Sequence, residues 1–251
     1  MTLTVLDLFS GIGGFSLGLE RTSGFRTVAF CEIEPYCQAV LRKHWPNVPI
    51  FPDVTKLGAD DVGRPDVICG GFPCQDISVA GKQAGIDGDR SGLWSEFARL
   101  IGELRPRYAI VENVTALLHN GMGRVLGDLA ALRYDAEWRI ISACEVGFSH
   151  TRERVFVVAY PESHHGNQWV GLHDEQPQSL QQSYPETSAS IWLAPTGSPS
   201  DLDDGVPFPL AAIHALGNAV VPQVAEVIGR AILEAETTPP TEKGYGQNPQ
   251  V

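Results

Sequence analysis

The 251-residue sequence is poor in several things at once. It has no apolar run of the roughly 18 residues that a membrane-spanning helix needs, and within the first 20 residues no basic stretch leads an apolar one. A cytoplasmic protein with no membrane partner is therefore expected. The five cysteines, at positions 31, 37, 69, 74 and 144, are odd in number and include no C-x-x-C pair. That argues against a disulfide framework and against a zinc ribbon, so no metal is expected. Internal repeats are absent. Positive charge is scarce, with 18 Lys and Arg against 30 Asp and Glu and a formal net charge of −12. Taken alone, this balance counts against a nucleic-acid partner, whose electrostatic footprint is normally basic. What the chain does have is 43% hydrophobic residues, enough for a sizeable core, which excludes disordered and fibrous classes. Its length suits one large domain.

The charge is unevenly spread. Residues 1–160 carry 16 Lys/Arg and 19 Asp/Glu, net −3, whereas residues 161–251 carry 2 and 11, net −9. Between Arg154 and Arg230 lie 75 residues without a Lys or Arg. The pattern of elements changes at the same place. Apolar runs of strand length at 4–9, 27–31, 66–69, 108–111, 138–141 and 155–159 alternate with helical stretches at 15–20, 35–44, 93–104 and 124–132. Such alternation predicts an α/β fold with a doubly wound, mainly parallel sheet. Residues 161–209 are rich in Gln, Ser, Pro and His without a countable period, and read as either an irregular surface excursion or a short recognition element. Residues 210–236 return to a helical pattern through Val224, Val227, Ile228 and Ile232, and 237–251 read as a flexible tail.

Four features carry chemistry. A strand runs into the cluster Gly11-Ile12-Gly13-Gly14 and then a helix, a turn that lets backbone N–H groups approach a ligand. Ser16 stands where a dinucleotide fingerprint has its third glycine, which weakens a nicotinamide or flavin reading. Glu32 ends the next strand, where a carboxylate can accept both hydroxyls of a ribose. A nucleoside cofactor is favoured over a purely structural turn, without being named by this motif. Second, Gly70-Gly71-Phe72-Pro73-Cys74-Gln75 puts Cys74 just beyond a strand end, where ligands of open parallel sheets bind; it reads as a nucleophile. Cys31, Cys37, Cys69 and Cys144 read as small buried hydrophobes. Third, Glu112 follows a buried strand ending at 111, a place where partial desolvation raises a carboxyl pKa for proton donation. Fourth, Arg152 and Arg154 are two apart at a strand start, able to grip a phosphate and a base edge, or simply surface charges on an edge strand.

Taken together and in this order, the motifs resemble the cytosine-5 DNA methyltransferase family, in a compact form similar to those of phages and prophages. Asp7-Leu8-Phe9-Ser10-Gly11-Ile12-Gly13-Gly14 is similar to its cofactor motif, Gly71-Phe72-Pro73-Cys74-Gln75 to its catalytic motif, Glu112-Asn113-Val114 to its base-contacting motif, and Gly217-Asn218-Ala219-Val220 to its closing motif. The resemblance covers about 1–160 and 210–235. It implies the sheet type of S-adenosylmethionine-dependent methyltransferases, with S-adenosyl-L-methionine as cofactor. Phe9 would stack on adenine, Glu32 with Ile33 would hold the nucleoside, and Asp53 and Val54 would flank the adenine edge. Pro73, Leu93, Asn218, Ala219 and Val220 would complete that pocket around the Ser10–Gly14 turn. Cys74 would add to carbon 6 of a flipped-out cytosine. Glu112 would stabilise ring nitrogen 3, Arg154 would hold the carbonyl oxygen and Arg152 a phosphate. Gln75, Ser78, Lys82, Arg90 and His150 would contact the substrate.

His150 departs from the family, which usually has Gln there, and the segment before Gly217 is shorter than a usual target-recognition domain. The expected partner is double-stranded DNA, with a cognate restriction enzyme as a further candidate, and the expected state is a monomer. A cytosine-5 methyltransferase acting on RNA and a non-catalytic cofactor- or DNA-binding relic are the alternatives. The scarce positive charge then becomes narrower in meaning: phosphate contacts fall to Lys82, Arg90 and Arg152, and a shallow salt dependence is expected.

Overall fold

The computed structural model describes residues 1–73, 93–149, 151–162 and 215–237. Strand β1 (Leu3–Leu8) feeds helix α1 (Gly14–Arg21), and β2 (Phe25–Cys31) feeds α2 (Pro35–His44), whose first residue is the proline that pre-sets a helical φ. Then follow the two-residue β3 (Ile50–Phe51), a 3-10 turn (Val54–Lys56), the short α3 (Ala59–Val62) and β4 (Val67–Gly70). Next come α4 (Leu93–Leu104), β5 (Tyr108–Val114), α5 (Leu117–Asn120), α6 (Met122–Ala131) and β6 (Tyr134–Ser142). A second 3-10 turn (Ala143–Val146), β7 (Glu153–Pro161), a helical turn at 215–218 and α7 (Pro222–Thr237) complete the described elements.

The seven strands among the described residues join one sheet in the order β3-β2-β1-β4-β5-β7-β6. The first five run parallel, whereas β7 is antiparallel to both β5 and β6. The doubly wound, mainly parallel sheet is as the sequence predicts. Because side chains alternate across a strand, each strand supplies two cores. Leu6, Leu8, Ile68, Val111, Val155 and Val157 face Trp94, Phe97 and Leu100 of α4 and Val125 and Leu129 of α6. Leu3, Val5, Val67, Ile110, Phe156 and Val158 face Phe15 and Leu19 of α1 and Val224, Ile228 and Ile232 of α7. Helix α4 buries Trp94, Phe97, Ile101 and Leu104, the three-and-four spacing of one helical face.

Three expectations change. Strand β5 does not end at 111 but continues through Val114, so Glu112 sits inside it, opposite Phe156 of β7. Cys144 is exposed, whereas Cys31, Cys37 and Cys69 are buried as expected. It lies on the tight 3-10 turn, whose Ala143 and Val146 take the inward positions. Helix α7 runs through Thr237, the first residue of the expected tail. Residues 163–214, with most of the expected recognition segment, and 238–251 lie outside the described residues.

Candidate active site

The site opens at the carboxyl ends of β1, β2, β4 and β5, and the strand order reverses between β1 and β4, where open α/β sheets bind ligands. The turn after β1 is built tightly. Phe9 has φ +52, a left-handed backbone that costs an aromatic residue on the order of 1–3 kcal/mol and is retained where a site requires it. Gly11 (φ +54) and Gly13 (φ +85) share that region. The Ser10 hydroxyl donates to Asp7 O at 2.6 Å and its N–H to Cys31 O at 3.2 Å, binding the β1 turn to the end of β2. Ser16 is not a failed glycine. Its hydroxyl and N–H both donate to Asp7 Oδ2, at 2.7 and 3.3 Å, inside the core. Burial raises the Asp7 carboxyl from 3.8 to about 8, against the lowering effect of the Ser16 hydrogen bonds.

Glu32 ties the first two loops together. One carboxylate oxygen accepts the Gly11 N–H at 2.6 Å and the other the Glu34 N–H at 2.8 Å. Burial raises its pKa, opposed by these backbone hydrogen bonds. A side chain at Gly14 would run into the Val220 carbonyl, and one at Gly18 into Pro222, so α1 and the segment leading into α7 pack backbone against backbone.

A cavity of about 330 Å³ fills the space above these loops, within the range of small-ligand pockets. From the cofactor set it gathers Phe9, Gly11, Glu32, Ile33, Asp53, Val54, Pro73, Leu93 and Asn218. Ile33 is 73% exposed at its rim, an apolar face placed for a flat ring. Asp53 accepts from the Thr55 hydroxyl at 2.7 Å and pairs with Lys56 at 3.2 Å. The Thr55 hydrogen bonds, with Lys56, hold its pKa below the ordinary value. Ser10, Ile12, Gly13, Gly14, Ala219 and Val220 do not line the cavity; they shape the turn and its packing. Ile12 is buried with Cys37 and Ala215.

The same cavity continues to Gly71, Phe72, Glu112, Asn113, Arg152 and Arg154. Glu112, 7% exposed, pairs through Oε1 with Arg154 Nε at 3.0 Å. Burial pushes its carboxyl above the ordinary range, while Arg154 and Arg152 pull it back. Any side chain at Gly71 would collide with Glu112 Oε2. Asn113 donates through Nδ2 to Phe72 O at 3.0 Å and accepts the Val114 N–H at 2.9 Å, so the backbone just before Pro73 is anchored to β5. Arg152 turns its guanidinium onto the carbonyls of Gly217 and, at 3.2 Å, Ala219. Cys74, Gln75, Ser78, Lys82, Arg90 and His150 lie outside the described residues. Asn113, Thr55 and Glu34 were missed as site residues. Asn113 was legible only as a polar residue in the Glu-Asn-Val triplet.

Solved structures share this architecture. A protein assigned as a DNA modification methyltransferase encoded within an E. coli prophage aligns at 28% identity with a TM-score of 0.57, over 66% of this chain and 49% of its own. The S. pombe Dnmt2 methyltransferase shares the fold at 22% identity and a TM-score of 0.54, over 64% and 51% of the two chains. The chain therefore has the Rossmann-like methyltransferase fold, with its ligand cavity at the switch point of the sheet. The family model for C-5 cytosine-specific DNA methylases matches residues 3–203, and the chain belongs to that family.

Among curated relatives, the Type II methyltransferase M2.BsuMI of Bacillus subtilis (strain 168) is 38% identical over 165 residues, 62% of this chain and 42% of its own. M.Eco47II of Escherichia coli is 32% identical over 234 residues, 81% and 55% of the two. The chain thus spans about half the length of the curated relatives it matches. No described helix is long and apolar enough to cross a membrane. The fold and family imply use of S-adenosylmethionine, and the residues present fit it. The positive-φ Gly11 lines the cavity and faces open space, so the backbone there leaves room for a ligand, and Glu32 and Ile33 both line the same cavity.

Proposed function

We propose that this chain methylates carbon 5 of cytosine in double-stranded DNA, taking the methyl group from S-adenosylmethionine. One observation carries the reading. A single cavity joins the nucleoside-holding set of Phe9, Glu32, Ile33 and Asp53 to the buried Glu112–Arg154 pair, with Pro73, the residue before Cys74, on its wall.

Bound S-adenosylmethionine supplies an electrophilic methyl group on a sulfonium. Carbon 5 of cytosine is a poor nucleophile, so the Cys74 thiolate adds to carbon 6, and the electron pair of the 5,6 double bond becomes an enamine reaching carbon 5. Glu112, with its pKa raised by burial, protonates or hydrogen-bonds ring nitrogen 3 as negative charge develops there. Arg154 holds Glu112 in place and offers its remaining N–H groups to the base carbonyl. Carbon 5 takes the methyl group, which leaves the neutral thioether S-adenosylhomocysteine. The carbon 5 proton then passes to water acting as base, and the electron pair of that C–H bond restores the 5,6 double bond as the carbon 6–sulfur bond breaks and Cys74 leaves as thiolate. Both faces of the ring must be reached, so the base leaves the duplex. Residues 161–209 are the proposed target-recognition segment, and the chain is proposed to act as a cytoplasmic monomer beside a cognate restriction enzyme.

Labelled cofactor and duplex DNA test this. Methyl incorporation at cytosine, a covalent adduct on 5-fluorocytosine DNA, and loss of both in Cys74→Ala are expected. Undiminished incorporation by Cys74→Ala would overturn the mechanism, and transfer to RNA but not to DNA would overturn the substrate.

A further inference from the structure

The expected role of Arg152 is a DNA phosphate contact, yet its side chain is committed elsewhere. Two nitrogens of its guanidinium donate to the carbonyls of Gly217 and Ala219, on either side of Asn218, which lines the cavity. Its charge also acts on Glu112, lowering that carboxyl's pKa second only to Arg154 among the cationic influences. A void of about 10 Å³ is walled by Glu112, Arg152, Arg154, Val220 and Val221, so the acid, both arginines and the closing segment surround one point. The Val220 carbonyl of the same stretch rests on Gly14, the residue that opens α1.

We infer that Arg152 is a positioning residue: it braces the closing segment that walls the cofactor cavity against the strand that carries the base-binding arginine, and it does not serve as a phosphate contact. The inference rests on the proposed function above. A guanidinium suits this task because its planar fork presents two nitrogens to two carbonyls at fixed angles, whereas an ammonium offers all its donors from one nitrogen. Arg152 thereby couples the two halves of the cavity. Displacing it lets Asn218 drift from the cofactor and removes one of two cations beside Glu112.

The test separates bracing from phosphate binding with two variants of the full chain. S-adenosylhomocysteine binding is followed by calorimetry without DNA, and duplex DNA binding is followed against salt. Bracing predicts about tenfold weaker S-adenosylhomocysteine binding in Arg152→Met, the worth of a charge-assisted hydrogen bond, and a salt slope equal to the wild type. A phosphate contact predicts unchanged S-adenosylhomocysteine binding and a slope reduced by about 0.9, a pair of results that would overturn the inference. If Arg152→Met fails to fold, Arg152→Lys carries the test. It keeps the charge but loses the two-nitrogen fork, so bracing predicts weakened S-adenosylhomocysteine binding, and wild-type binding would refute it. A wild-type chain that binds no S-adenosylhomocysteine would overturn the proposed function, and this inference with it.

Discussion

Replacing Arg154 by Met should make the stability of the protein depend on pH in a way that identifies Glu112 as its partner. The pair is close, 3.0 Å from Nε to Oε1, with Glu112 only 9% and Arg154 23% exposed at the side chain. At an effective dielectric of about 20, two charges at that distance attract by roughly 5–6 kcal/mol before desolvation is counted. Breaking a buried pair typically costs about 3–5 kcal/mol. Partial exposure of Arg154 and the nearby charge of Arg152 lower this to about 2–3 kcal/mol where Glu112 is ionised. Burial already raises the Glu112 pKa above 4.5, and removing Arg154 raises it further. The contribution of Glu112 to stability is therefore full below about pH 4.5 and is lost as pH rises through its folded pKa, more steeply in the variant. Urea denaturation at pH 5 and pH 8.5 checks this, with a variant penalty that is largest at pH 8.5 and shrinks toward pH 5. An equal penalty at both would show that the interaction lost is packing and not charge.

Other residues give equally direct tests. Gly14→Ala places a methyl group against the Val220 carbonyl; about 1–3 kcal/mol of stability should be lost in urea unfolding, and a variant as stable as wild type would contradict the packing of α1 on the closing segment. Asp7→Asn removes a group whose folded pKa is raised from 3.8 to about 8. That group's contribution is full below about pH 4 and lost as pH rises through 8, so thermal melts of the variant should vary less between pH 5 and 8, and an unaltered slope would contradict the assignment. In Glu32→Gln the new amide group has a single acceptor oxygen for the N–H groups of Gly11 and Glu34. S-adenosylhomocysteine binding should weaken by about tenfold or more in calorimetry; unchanged affinity would remove Glu32 from the cofactor set.

Where burial is the rule, the sequence is legible. The apolar runs of β1, β2, β4 and β7 are sandwiched between two helical layers, so nearly every position must be apolar, and such runs stand out. β5 was read too short because Glu112 and Asn113, just before its last residue Val114, are polar yet buried, satisfied by Arg154, Phe72 and a β7 partner far away in sequence. β3 was missed because two residues carry no pattern, and it exists only through its pairing with Phe30 and Cys31. Cys144 was misjudged because apolar neighbours do not bury a residue on a turn of three-residue period. Glu32 was legible because it ends the strand after the glycine turn, whereas Phe9 and Asp53 were expected only from the family resemblance; all three line the one cavity. The commitment of Arg152 to two carbonyls was not readable, since a surface phosphate and a backbone carbonyl ask for the same side chain.

Strand β7 runs against its neighbours, and this bears on how faithfully the chain folds. In the observed register Phe156 stands opposite Glu112 and Arg154 opposite Val114, which sets the arginine diagonally beside the acid. A slip of one residue inverts every side chain of the strand. In one direction Glu153 takes the place of Arg154 and two carboxylates meet in a nearly dry pocket; in the other Val155 takes it and Glu112 loses its cation; either way Phe156 leaves its apolar partners. The alternation Arg152-Glu153-Arg154 thus penalises the first of these misalignments with like-charge repulsion and lost burial together. The arginines proposed to handle the base also proofread the pairing of the strand that carries them.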